Sequence, residues 1–409
     1  MSPTGPSAGV PSPAELQPTL CKVTERLARE LASPGAEAPD WSREEWTVAR
    51  AVAAMHGISP LLSRSLPWRG PHAWVDFLDA QREHTRARHS RISELLESID
   101  QKAQHVGLSL TALKGAALHG LSLYEPGDRP MADLDLLVRP ADLDGATALV
   151  SGMGFRLTEQ SWKERVFTLA EDGVAAEFGE HTANSLKIEV HQRICEKLPL
   201  RITDMSECIF PRVPHPGVNG YPSNGSLMSH LLLHGAGSMA FQSLRILQVH
   251  DIGLLATRLS ATDWREVVEA QTPNRRWWAY PPLEMASRYY RSIPSRVLAA
   301  LRRACPYVLR QSASNRTLTQ VSYSYLWVKA FPGIEWSQSP LEMLQYGWSR
   351  VRPNKAHLAS RKRTAANQAW AKYGDWSSRS QLTRVLRWMS SRQTRPATMH
   401  VIAAAFCDR

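Results

Sequence analysis

Asp133-Leu134-Asp135 is where residue type and spacing in this sequence point most directly to chemistry. The triplet lies in the apolar stretch 132–138, read as a strand and closed by Arg139-Pro140. Side chains alternate across a strand, so Asp133 and Asp135 share one face while Leu134 and Leu136 take the other. Two carboxylates held side by side repel each other unless a cation lies between them, and hard oxygen ligands suit Mg²⁺ or Mn²⁺. A second alternating stretch, 186–194, puts Lys187, Glu189, His191 and Arg193 on one face. If it neighbours the first strand, Glu189 completes a three-carboxylate cluster. A solvent-facing edge strand gives the same alternation, and spacing alone does not choose. Upstream, Lys114-Gly115 sits where a strand turns into a helix. A glycine there lets backbone approach a phosphate, the helix start supplies N–H donors, and Lys114 adds a point charge. Arg129, four residues before Asp133, offers a planar fork for phosphate oxygens. Taken singly, these also read as a helix-start glycine and surface cations.

The elements around these residues follow from periodicity and breakers. Helices are expected over about 16–31, 42–66 and 71–106. In the third, Trp74, Phe77, Leu78, Ile92, Leu95, Leu96 and Ile99 recur at helical spacing. Residues 108–113 read as a strand, 116–123 as a helix, and 124–131 as a loop broken by Pro126, Gly127 and Pro130. A helix over 142–153 has Asp142 at its start and Gly154 as its stop. Strands over 165–170 and 174–178 flank Glu171-Asp172-Gly173, a hairpin signal. Helical patterns return from Ser226. The expected fold class is α+β: a small mixed β-sheet core at about 108–195, set between an N-terminal helical region (16–107) and a C-terminal one (226–350). Residues 1–15 are expected to be a disordered leader and 351–409 a basic extension.

Three pieces in order carry a family resemblance: LKGAAL, then LYEPGDRPMADLDLLV, then IEVHQR after a helix ending in GMGF. Together they resemble the uncharacterised nucleotidyltransferase family of the polymerase-β-like superfamily, over roughly 108–195 and more loosely through 226–260. The resemblance implies a nucleotidyl-transfer fold, with Asp133, Asp135 and Glu189 as catalytic metal ligands for Mg²⁺ or Mn²⁺ and Lys114, Gly115 and Arg129 on the triphosphate. It implies an NTP donor and release of pyrophosphate, with a small molecule, a peptide or a protein as acceptor. His191 shares the Glu189 face and is expected to orient a neighbour rather than bind. Where most superfamily members carry Gly-Ser at the phosphate turn, this chain has Lys114-Gly115, and Asp133 comes 18 positions after Gly115.

Two rival readings use other residues. His230 and His234 lie four apart on an expected helix and His250-Asp251 follows, a set resembling the ligands of HD-type phosphohydrolases. The net charge of +11 is concentrated at the end, where twelve Lys/Arg face Asp375 and Asp408 from residue 351 onward. With Trp370, Trp376 and Trp388 interleaved, that stretch suits a nucleic-acid-binding reading.

Length and composition set the frame. The chain has 409 residues, 43% apolar and 21% charged, ample for a full core. No apolar run approaches the roughly 20 residues of a spanning helix. Five scattered cysteines form no CxxC pair, so reduced thiols and a cytoplasmic location are expected.

Overall fold

Four helices precede the first strand: α1 (Pro13–Ala32), α2 (Arg43–His56), α3 (Ser59–Ser65) and α4 (His72–His105). The computed structural model describes residues 10–169, 178–269, 276–353, 386 and 393–408. Ser42 caps α2, its hydroxyl accepting from the Glu45 N–H at 3.2 Å. The single helix expected over 42–66 is broken at Gly57, whose φ of 68° ends α2, and Pro60 opens α3. Residues 13–15, expected in the leader, form the first turn of α1, where Pro13 follows Ser12 at the cap. On α4 the apolar spacing holds, with Trp74, Phe77, Leu78, Ile92 and Ile99 all buried.

The sheet is built from β1 (Ser109–Ala112), β2 (Asp133–Leu137), β3 (Phe155–Gln160), β4 (Glu164–Leu169), β5 (Lys187–His191) and, past a small β6 (Cys195–Leu198)–β7 (Arg201–Asp204) hairpin, β8 (Gly217–Asn219). Helix α5 (Lys114–Gly120) follows β1 and α6 (Leu143–Gly152) follows β2. The six strands run in the order β3-β4-β5-β2-β1-β8. β2 is parallel to β5 and β1 to β8, while the other pairs are antiparallel. The fold is therefore α+β with a mixed sheet. β5 lies between β4 and β2, so it is an interior strand and not an edge.

Two strands of the six-stranded sheet are absent from the sequence reading, as are β6 and β7. β3 buries Phe155 alone, its remaining residues being exposed, so it has no apolar signal. β8 has only three residues. The hairpin turn expected at 171–173 and most of the strand expected at 174–178 lie outside the described residues, and β4 pairs with β3, before it in sequence.

One face of the sheet is apolar. Leu134, Leu136, Ile188 and Val190 pack on Ile92 and Ile99 of α4 and Val150 of α6. The opposite face carries Asp133, Asp135, Glu189 and His191. It is overlain by α5 and by α7 (Asn224–Ala240), the first of the later helices. After it come α8 (Ile246–Ala256), α9 (Ala261–Val268), α10 (Tyr280–Ser287), α11 (Ser295–Ala304), α12 (Tyr307–Asn315), α13 (Pro340–Val351) and α14 (Pro396–Cys407). Helices before and after the sheet share one core: Leu16, Leu20 and Val52 join Leu232, Ile252 and Leu283. α14 returns to α2, where Arg50 donates to the Asp408 carbonyl at 2.8 Å and the Ala405 carbonyl at 3.0 Å. Most of the basic stretch, with Trp370, Trp376 and Trp388, lies outside the described residues. Among the described residues no helix is long and apolar enough to cross a membrane.

Candidate active site

The β2–β5 register aligns the acids. Asp135 stands opposite Glu189, and Asp133 opposite Lys187. Asp135 is buried, and its Oδ1 accepts from Lys114 Nζ at 3.0 Å and from His191 Nε2 at 2.8 Å. The second ring nitrogen of His191 lies 3.2 Å from Glu164 Oε2, and Nε2 is 3.5 Å from Glu189 Oε2. With acceptors facing both nitrogens, the ring is an imidazolium. Burial acts to neutralise it, but the bonds to Asp135, Glu164 and Glu189 outweigh burial and raise its pKa to about 10. Burial likewise opposes ionisation of Asp135, and Lys114 and His191 reverse that, holding the carboxyl far below its usual range. Glu164 falls to about 2 by the same contest, in favour of His191 and Lys163. Lys114 stays charged against burial because Asp135 and Asp133 lie close.

Asp133 differs from its neighbour. Among the described residues it has no ion-pair partner. Burial first, and then the Asp135 charge, push its pKa up to about 6. An under-compensated carboxylate beside two others is a site that lacks positive charge.

The donor set fits a hard divalent cation. Asp135, Glu189 and His191 each offer a ligand atom within 4.8 Å of one another. His191, however, holds its second proton between three carboxylates, and a histidine must give up a proton to ligate. Asp133 lies outside that group but lines the same cavity as Asp135, and carboxylate oxygens such as those of Asp135 and Glu189 are the kind of donor that Mg²⁺ or Mn²⁺ takes.

Two cavities open on this face. One of about 340 Å³ is lined by Lys114, Gly115, Arg129, Asp133, Asp135 and Asp251, and also by Arg245, Gln248 and Tyr323. The other, of about 250 Å³, is lined by Glu189, His191, Lys163, Glu164 and Glu196 among others. Both are bounded by Lys114, Asp133 and His234. Asp135 thus faces the first space, Glu189 the second, and Asp133 both.

The cation side departs from the sequence reading. Lys114 adopts a left-handed φ of 43°, and its N–H donates to Tyr221 Oη at 3.3 Å. The turn it begins, α5, has only seven residues. A side chain on Gly115 would strike the Arg129 guanidinium and Met131, so the close approach this glycine permits is to the protein's own arginine. Arg129 in turn is buried in a two-pronged pair with Asp251, Nε to Oδ1 at 2.9 Å and Nη2 to Oδ2 at 2.8 Å, joined by Tyr124 Oη at 2.7 Å. It lines the larger cavity, but most of its donors are engaged.

The HD-type set does not assemble. His230 is buried against Tyr221 Oη at 2.7 Å, and burial drives its pKa well below the usual value. His250 bonds Tyr290 Oη at 2.7 Å and is lowered to about 4 by burial. Asp251 faces Arg129, and His234 lies 3.5 Å from Glu196. Among the described residues the single His/Cys/Asp/Glu group close enough to hold a metal is the Asp135 one. Each member of the helical set meets a different partner, so i,i+4 spacing does not make them converge.

Several lining residues escaped the sequence reading. Lys163 and Glu164 come from the turn and start of the β3–β4 hairpin, whose first strand has no apolar pattern. Arg245 immediately precedes the apolar run of α8, a signal visible only in hindsight of the fold. Tyr323 lies in a loop with no periodicity at all.

Comparison with known proteins supplies the class: the chain is a nucleotidyltransferase. Residues 42–291, more than half of its length, match the model of a family described as uncharacterised nucleotidyltransferase, and the chain belongs to that family. No curated protein and no solved structure matches it.

Proposed function

We propose that this chain is a polymerase-β-like, divalent-metal-dependent nucleotidyltransferase that moves a nucleoside monophosphate from an NTP to the hydroxyl of a small polar acceptor. The observation that carries the reading is the alignment of Asp135 with Glu189 across the β2–β5 register, with Asp133 facing both cavities. The larger cavity, where Lys114, Arg129 and Arg245 gather, takes the donor. The smaller, lined by side chains of both signs and only about 250 Å³, takes the acceptor.

Asp133, Asp135 and Glu189 would hold Mg²⁺ or Mn²⁺, which supplies charge neutralisation for the triphosphate and acidifies the acceptor hydroxyl. The acceptor oxygen forms a bond to the α-phosphorus while the bond from that phosphorus to the β-phosphate oxygen breaks. The electron pair leaves with pyrophosphate, and the acceptor's proton passes to Glu189. Lys114 has three N–H donors, of which Asp135 uses one, leaving two for phosphate oxygens. Arg129, fixed by Asp251, contributes a stationary positive charge at the cavity wall. His191, bonded to Asp135 and 3.5 Å from Glu189, keeps Asp135 ionised and aims the two carboxylates at one point.

The test is a calorimetric titration with ATP, GTP, CTP and UTP in Mg²⁺, wild type beside Asp133→Ala. Metal-dependent binding that disappears in the variant is the expected result. Equal binding with and without Mg²⁺, or by both proteins, overturns the reading.

A further inference from the structure

Two further residues line the larger cavity, Arg245 and Tyr323. Arg245 is exposed just ahead of α8, and among the described residues no carboxylate pairs with it. That distinguishes it from the cavity's other cations, Lys114 bound to Asp135 and Arg129 bound to Asp251. Its guanidinium carbon lies 5.6 Å from the centre of the Tyr323 ring, and that of Arg395 lies 5.7 Å from the same ring. Tyr323 is half-buried and sits past residue 291, where the family match ends.

The pair is fixed from several sides. Buried His56, the last residue of α2, accepts the Ile246 N–H at Nδ1 at 3.0 Å, next to Arg245. Its Nε2 donates to Ser324 Oγ at 2.8 Å, next to Tyr323. Thr24 of α1 donates to the same Ser324 hydroxyl at 2.7 Å. Thr398 of α14 donates to the Tyr323 carbonyl at 2.6 Å, and the Leu244 N–H donates to the Val321 carbonyl at 3.2 Å. Helices from both ends of the chain therefore hold one arginine and one tyrosine side by side on the cavity lining.

We propose that Arg245 and Tyr323 are the donor clamp, Arg245 binding the polyphosphate of a nucleoside triphosphate and Tyr323 carrying its base. The inference rests on the nucleotidyl-transfer reading above. A guanidinium without a carboxylate partner presents a planar fork that matches phosphate oxygens. An aromatic face beside it stacks bases without selecting among them. The cavity's other two cations are engaged with acids of the protein, so Arg245, exposed and without a carboxylate partner, meets the donor's phosphates.

The experiment titrates the full chain in Mg²⁺ with ATP, GTP and inorganic tripolyphosphate, comparing wild type with Arg245→Ala, Tyr323→Ala and Tyr323→Phe. Arg245→Ala is expected to weaken all three ligands about tenfold or more. Tyr323→Ala should weaken the nucleotides and leave tripolyphosphate unchanged, while Tyr323→Phe, which keeps the ring, binds like wild type. Should Tyr323→Ala unfold, Tyr323→Leu keeps an apolar side chain and must show the same nucleotide-only loss. Folded Arg245→Ala and Tyr323→Ala proteins that bind like wild type overturn the clamp and leave the transfer reading standing. A wild type that binds neither nucleotide nor tripolyphosphate overturns the transfer reading, and the clamp with it.

Discussion

The sheet face and the helical histidine region hold similar side chains and use them in opposite ways. On β2 and β5, alternation puts Asp133, Asp135 and Glu189 along one edge of two cavities. On α7 and α8, His230, His250 and Asp251 are each closed off by internal partners, Tyr221 for the first, Tyr290 for the second, and Arg129 with Tyr124 for the third. Burial keeps the two histidines neutral, whereas His191 on β5 is kept charged by three acids. Residue type and spacing nominate both regions, the sheet acids more directly. What separates them is convergence: the sheet acids gather at one pair of cavities, whereas His230, His234, His250 and Asp251 each meet a different partner even where they line those cavities.

The largest expected effect tests the sheet side. Asp133→Ala should lower nucleotidyl transfer by about a thousandfold or more, since a charged group at the reacting centre is lost without disturbing a bonded partner. Incorporation of label from an α-³²P nucleotide measures it. His250→Phe should stay within about threefold of wild type. A reversal of these two results would restore the phosphohydrolase reading.

The helical side is broken most directly at Asp251. Asp251→Ala strands a buried Arg129 and the Tyr124 hydroxyl, so unfolding in urea should show a loss of about 3–5 kcal/mol. A variant of wild-type stability would mean that the pair is not structural, and the comparison between the two regions would fall.

How much of this was legible in the sequence follows the same division. β2 and β5 stand out because alternation is strict where one face of a strand is buried on Ile92 and Ile99 and the other is polar. The order of pieces around Lys114, Asp133 and Glu189 was enough to place the family. The break at Gly57 hides inside a continuous helical pattern, because a left-handed glycine between two helix-forming stretches leaves the periodicity nearly intact. β3 is invisible since a sheet edge buries only Phe155. Arg129 looked like a phosphate ligand because its partner, Asp251, is 122 residues away, and no local pattern announces such a pair. Arg245 and Tyr323 meet only through the packing of α1, α2 and α14 around them.

A smaller effect sharpens the contrast in charge. The pKa of His191 is raised from 6.5 to about 10 in the folded chain. Its contribution to stability is therefore complete below pH 6.5 and is lost as pH rises through about 10. His191→Gln should cost on the order of 2–3 kcal/mol at pH 6, and the gap to wild type should close toward pH 10. Chemical denaturation across that range measures it. A gap independent of pH would show that the ring acts by packing alone.

The smallest effect has the opposite sign, and it joins stability to function. Asp133 is raised from 3.8 to about 6 by burial and by the Asp135 charge. Between those pH values the folded chain holds more protons than the unfolded one, so this group lowers stability as pH rises and leaves the deficit in place above 6. Asp133→Asn removes the deficit. In EDTA at pH 7 it should stabilise the protein by about 1–2 kcal/mol, a range reduced from the full shift because the side chain is partly exposed to the cavities. Added Mg²⁺ should raise the melting temperature of wild type and leave that of the asparagine variant nearly unchanged. An asparagine variant that is less stable than wild type in EDTA would mean that Asp133 is already compensated within the fold. The crowding of carboxylates on the sheet face would then lose its reading as a cation site.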